Sequence, residues 1–238
     1  MEDDIMTDFP YESALIVGAG SGISASLARQ LSAQGVKVGL AARNIEKLQG
    51  LIEETRASAF SADVSQPASV AALFEEAAAA IGGPDVVIFN ASARLRGPLA
   101  ELDPAEVEKA ITTTAFGGFL VVQQAAQRMI PRGRGAILIT GASASVKGFA
   151  QSAPFAMGKF ALRGLAQSAA RELGPMGIHV AHFVIDGAVR SQIRPDRAEK
   201  PDGTLLPEAI AQTYIDVLRQ HRSAWSLEVE VRPWTESF

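Results

Sequence analysis

The stretch ALIVGAGSGIS, Ala14 to Ser24, decides the fold. Ala14–Val17 form a short apolar run suited to a buried strand, and the glycines after it end that run sharply. Ile23, Leu27 and Leu31 then recur every four residues, which predicts a helix over 23–34 with Gly35 past its end as a C-cap. Glycines at such a turn let the chain bend tightly and bring backbone N–H groups near a ligand. The free N–H groups of the helix start favour a phosphate. Strand, glycine turn and helix in that order predict the first unit of a nucleotide-binding α/β sheet.

The pattern repeats outward from this unit. Strands are predicted at 14–17, 36–41, 58–62, 85–90, 136–140, 179–185 and 227–231, each rich in Val, Ile or small residues. Helices are predicted at 23–34, 45–56, 67–81, 104–129, 155–174 and 207–220. Short connections between strands and helices predict a doubly wound parallel sheet of about seven strands, with helices on both faces in a three-layer α/β fold. With no repeat and no linker, residues 13–238 read as one domain, preceded by a loose acidic arm over 1–12. The segment 187–206, with Pro195, Pro201 and Gly203, is long and irregular, the mark of a lid or binding loop.

Composition narrows the function. The 238 residues are 47% hydrophobic, enough for a sizeable single core, and contain no run able to span a bilayer. Net charge is −4 with Lys and Arg scattered, which argues against nucleic-acid or anionic-membrane partners. The absence of cysteine removes disulfides, thiolate metal sites and a cysteine nucleophile. No His/Asp/Glu spacing suggests a metal site. The opening MEDDIMTDFPYES lacks the basic and apolar regions of a signal peptide, so a cytoplasmic protein is expected.

At the end of the second strand, a dinucleotide site selective for NAD would place an acid on the ribose 2′-hydroxyl. Here Ala42 and Arg43 stand instead. A 2′-phosphate needs a cation, so NADP(H) is favoured over NAD(H).

Together with three later stretches, these residues resemble the short-chain dehydrogenase/reductase family over essentially all of 13–238, which implies a Rossmann fold. The glycine pattern is met by Gly18 and Gly22, with Val17 in the Thr position and Ser24 in place of the last glycine. The resemblance implies cofactor contacts from Gly18, Ser21, Gly22 and Ile23. It also implies them from Asp63 and Val64 of SADV, from Asn90 and Ala91 of FNASA, and from Gly187 and Val189 of DGAVRS. In FNASA, Ser92 replaces a glycine, and in DGAVRS, Asp186 replaces a proline.

The family's active site pairs an Asn, a Ser and a Tyr with a Lys four residues later. On this chain those positions fall on Thr114, Ala142, Phe155 and Lys159. Only the lysine is kept, and the family's lysine also bonds the ribose beside the nicotinamide. Phenylalanine has no proton to give, and general acid–base catalysis contributes ~10²–10⁴-fold. The remaining tyrosines, Tyr11 and Tyr214, are placed in the arm and the last helix. Ser143, after the fifth strand, and Lys159 are the candidate proton donors, with Ser145 adjacent. His182 reads as a packed strand residue, and His179 and His221 have no partner in the pattern.

Three readings are open at this point. The first is an NADP-dependent oxidoreductase with altered proton transfer. The second is a non-catalytic NADP(H)-binding protein. The third, a hydrolase, would use GASAS (141–145) as a nucleophile elbow with Asp186 and His221. An elbow needs a closing glycine and an immediate helix, however, and Ser145 and VKGFAQSAP stand there instead. For the oxidoreductase the pocket is bounded by 92–98, 142–149 and 187–206. Leu95, Pro98, Val146 and Phe149 suggest a small, largely apolar substrate. The resemblance further implies a homodimer or homotetramer packed through helices 104–129 and 155–174, where Ala125, Ala126, Ala161, Leu162 and Leu165 suit a helix–helix interface and an internal core equally.

Overall fold

The computed structural model describes residues 9–191, 193–195 and 201–236. Seven parallel strands form one sheet: β1 (Ser13–Val17), β2 (Lys37–Ala42), β3 (Ser58–Ser61), β4 (Val86–Phe89), β5 (Gly135–Thr140), β6 (Ile178–Ile185) and β7 (Glu228–Val231). Their order across the sheet is β3-β2-β1-β4-β5-β6-β7. This is the doubly wound, Rossmann-like arrangement expected from the strand–helix alternation. The order reverses between β1 and β4, and the crevice outside their carboxyl ends is where ligands bind such sheets.

Successive side chains of a strand point to opposite faces, and here both faces are covered. Ala14 and Ile16 of β1, with Val86 and Ile88 of β4, pack under α1 (Ile23–Ala33), α2 (Gln49–Thr55) and α7 (Pro207–Leu218). Leu15, Val17, Val87 and Phe89 pack against α3 (Pro67–Ile81), α5 (Gly117–Met129) and α6 (Ala153–Leu173). That double burial is why the inner strands read as unbroken apolar runs. A side chain at Gly118 would sit 2.3 Å from Leu162, so glycine lets α5 lie close on α6.

Two predicted helices are broken. Residues 45–56 open with a 3₁₀ turn, Glu46–Leu48, before α2, and Arg56 ends the segment at φ 55°. Asn44 accepts from the Glu46 amide and Gly50 weakens the early helix, so one continuous helix has little support. Residues 104–129 divide into α4 (Pro104–Ile111), a π turn at Thr112–Phe116, and α5. Thr114 lies in that turn, its hydroxyl accepting the Ala93 amide at 3.0 Å.

Of the arm expected over 1–12, residues 1–8 lie outside the described residues. Within 9–12, Pro10 and Glu12 are exposed while Phe9 and Tyr11 are half-buried. Phe9 and Tyr11 meet edge to face at 6.0 Å and rest on the core. The Glu12 amide donates to Asp85. Burying two aromatic rings outweighs the acidic character of the neighbouring residues.

His179 and His182 lie buried in β6. The first bonds the Ser226 carbonyl and stacks on Trp225 at 4.7 Å. The second bonds Glu228 at 3.1 Å. Burial pushes both imidazoles below their ordinary 6.5. The unfolded chain therefore takes up these protons first. Stability is full above pH 6.5 and falls as pH drops through that value toward the lower folded values. Thermal melts between pH 8 and pH 5 should show this decline, and a flat profile would contradict it.

Candidate active site

At the switch point the glycine turn is held by a short network. Gly18 adopts φ +88°, and a side chain there would meet the Ala91 amide nitrogen at 2.3 Å. Glycine alone satisfies both the left-handed backbone and the close approach of the β4 end. The Gly18 and Ala19 amides donate to the Ala41 carbonyl, and the Asn90 amide donates to Val17. Beneath the turn, the Asn90 side-chain amide donates to the Ser24 hydroxyl at 2.7 Å, and that hydroxyl donates to the Gly18 carbonyl at 3.3 Å. Ser24 therefore braces the turn from below. By contrast, a side chain at Gly20 or Gly22 would meet nothing within 4 Å. That leaves open space at the start of α1, where helix first-turn N–H groups in general lack a partner within the helix and favour a phosphate.

The rest of the predicted cofactor set falls around the same edge. Arg43 is exposed just beyond β2. Asp63 accepts from the amide and hydroxyl of Ser65, and those bonds, with a smaller contribution from Arg43, hold its carboxyl below the usual range. Val64 is buried under α5, its side chain against Gly117. Gly187 (φ +153°) and Val189 follow β6, and Val189 bridges to Leu205, closing the base of the 187–206 loop. Ser21 is exposed on the turn. Ile23, Asn90, Gly187 and Val189 all line one cavity of about 910 Å³.

The same cavity holds the candidate chemistry. Lys159 is 3% exposed, donates to the Thr140 carbonyl at 2.8 Å, and has its pKa pushed down by burial to about 8. Phe155 presents its ring to the cavity with the Lys159 ammonium 5.9 Å from its centroid. Ala142 and Ser143 line the wall after β5. Ser145 is fully buried and accepts the Ala142 amide, which takes it out of reach. Thr114 is buried and bonded to Ala93. Tyr214 is buried beneath the floor, stacked on Phe183 at 3.6 Å and hydrogen-bonded to the Thr140 hydroxyl at 2.8 Å, with its pKa raised by burial.

The expected apolar lining is largely displaced. Of Leu95, Pro98, Val146 and Phe149, only Phe149 lines the cavity. From 92 to 97 the chain alternates between exposed and half-buried residues. Ser92, Arg94 and Arg96 face the cavity, while Leu95 turns away. The signal was present in the S-x-R-x-R spacing, which has the period of an extended strand. Asp186 sits 3.7 Å from Lys147, so the residue in place of proline is held in an ion pair. Among the described residues no group of three or more His, Asp or Glu side chains could hold a metal, and no helix is long and apolar enough to cross a membrane.

Comparison with known proteins agrees with this fold. The short chain dehydrogenase family matches residues 12–202, and the chain belongs to that family. It is 32% identical over 206 residues to a 2,5-dichloro-2,5-cyclohexadiene-1,4-diol dehydrogenase of Sphingobium indicum, covering 85% of this chain and 82% of that one. A short-chain dehydrogenase from Rhodopseudomonas palustris superposes with a TM-score of 0.80 at 34% identity, covering 94% of this chain and 99% of its own. A metagenomic short-chain oxidoreductase, solved in complex with NADP, superposes with a TM-score of 0.82 at 30% identity, covering 93% and 97%.

Proposed function

We propose that this chain is an NADP(H)-dependent oxidoreductase acting on a small molecule, in a cytoplasmic setting, with a proton-transfer route that does not use tyrosine. The observation that carries this reading is one cavity lined both by Ile23, at the start of the helix that the glycine turn opens, with Asn90, Gly187 and Val189, and by Lys159, Ser143 and Phe155. The NADP found with a 30%-identical neighbour supports the cofactor class. Gly18, Ser21, Gly22, Ile23, Asn90, Ala91, Gly187 and Val189 would hold it, with Asp63 and Val64 at its base and Arg43 at a 2′-phosphate. When bound, the nicotinamide supplies or accepts the hydride.

The chain's own residues then handle the proton. Phe155, at the family's tyrosine position, cannot donate one, and Ala142 and Thr114 leave the serine and asparagine positions without their usual groups. Ser143 carries a hydroxyl on the cavity wall. Lys159, with a pKa near 8, lies close enough to neutrality for its ammonium to give and recover a proton. A second reading, a non-catalytic NADP(H)-binding protein, is favoured by Phe155 itself. In that case Lys159 serves the cofactor ribose alone.

Calorimetric titration separates the cofactor question from turnover. NADPH is expected to bind in the micromolar range and more tightly than NADH. Arg43→Ala should narrow that preference by ~10-fold through loss of one charge-assisted contact. If no dinucleotide binds, the oxidoreductase reading falls.

An oligomer belongs to the same proposal, through the same two helical stretches read in the sequence. Of the residues named there, Ala125 and Leu162 are core residues, Ala126 and Leu165 are half-buried, and Ala161 is exposed. The exposed apolar side chains of this side are Phe116 and Phe119, stacked at 6.1 Å, together with Met157 and Phe160. Light scattering should report a dimer or tetramer, and Phe116→Glu with Phe119→Glu should shift it to monomer.

A further inference from the structure

The cavity wall carries more positive charge than the cofactor cradle uses. Arg94 and Arg96 line it from alternate positions after β4, and Arg194 faces it from the loop after β6. With Lys159 that makes four basic side chains and, among the described residues, no carboxylate on the lining. No ion pair among the described residues involves any of the three arginines. In a chain of net charge −4, this concentration of cations runs against the overall balance.

The Arg94 guanidinium lies 5.2 Å from the centroid of the Phe155 ring. Partial burial, then the charges of Arg194 and Arg96, push its pKa down, so Arg94 is repelled by the two other cations of this wall. A bound anion would relieve that repulsion, and guanidinium groups match carboxylate and phosphate oxygens in geometry. Arg94 stands beside Phe155, with Arg96 and Arg194 on the same cavity, whereas Arg43 lies beyond β2, which β1 separates from β4. The first three therefore belong to the substrate end of the cavity.

We propose that the substrate carries an anionic oxygen group, a carboxylate or a phosphate, held by Arg94, Arg96 and Arg194, with an apolar body resting on Phe155 and Phe149. As a statement about a substrate it rests on the oxidoreductase reading. As a statement about binding it can be tested alone.

The test is calorimetry on the full-length protein, with and without saturating NADP, using benzoate, its neutral analogue benzamide, and inorganic phosphate. At least one anion should bind, with benzoate at least ~10-fold tighter than benzamide if the group is a carboxylate. Phosphate binding tighter than benzoate would assign a phosphate instead. Arg94→Gln should weaken the preferred anion by ~10-fold, with smaller losses for Arg96→Gln and Arg194→Gln, while the NADPH affinity of Arg94→Gln stays that of the wild type. All three arginines are exposed, so these variants keep the core intact. Equal binding of benzoate and benzamide without phosphate binding would overturn the proposal. So would failure of both anions to bind, or an Arg94→Gln variant that binds them unchanged. A loss of NADPH affinity in Arg94→Gln would assign the arginines to the cofactor and overturn it too. Absence of NADPH binding in the wild type, with benzoate still bound, would sink the oxidoreductase reading and leave the anion site standing.

Discussion

Phe155→Tyr combined with Ala142→Ser is expected to raise NADPH-dependent reduction of ketone test substrates by ~10²–10⁴-fold, the usual contribution of a positioned general acid. The new phenol would extend from a ring that already lines the cavity, near an ammonium 5.9 Å from the ring centroid. That ammonium favours the phenolate and so lowers the cost of proton donation. The serine would add a hydroxyl beside it on the same wall. The rate is read as loss of NADPH absorbance against the wild-type baseline. A rise from zero would identify the natural chain as a cofactor-binding protein. A rise from a measurable baseline would mean that Ser143 or Lys159 already moves the proton. No rise at all would mean that Phe155 does not occupy the tyrosine position in function.

Lys159→Met should separate stability from binding. Burial lowers the lysine pKa from 10.5 to about 8, which at about 1.4 kcal/mol per tenfold change in proton affinity costs the folded state roughly 3 kcal/mol at neutral pH. Methionine fills a similar volume without a charge. It gives up the hydrogen bond to the Thr140 carbonyl, a residue on the cavity wall where water can replace the lost donor. A net stabilisation of about 1–2 kcal/mol is expected by urea titration at pH 7. The sign follows from the direction of the shift. Below about pH 8 both folded and unfolded chains carry the charge, and the cost is complete. It fades between pH 8 and 10.5 as the folded lysine loses its proton first. The gain over the wild type should therefore shrink on going from pH 7 to pH 10. The same variant should lose at least ~10-fold in NADPH affinity through loss of a charge-assisted contact. A variant that is less stable and binds NADPH normally would contradict both parts.

Much of this protein was determined by local sequence. The seven strands and the principal helices follow from runs of Val and Ile alternating with helical periodicity, because each element must bury one or both faces regardless of what lies elsewhere. The turn at Gly18 was legible because no other residue adopts its backbone against Ala91. Tertiary structure decided the rest, since it brings together groups that local sequence cannot relate. The half-turned segment 92–97 reads as apolar or basic depending on which side faces the cavity. Its bonds from Ala93 to Thr114 and from Gly97 to Gln151 settle that in favour of the arginines. Arg194 shares a cavity wall with Arg94 across a separation in sequence that only the order of β4, β5 and β6 closes. Lys159 is an ordinary cation on a helical repeat until the packing of α6 on the sheet removes its water, and that desolvation sets its charge near neutral pH.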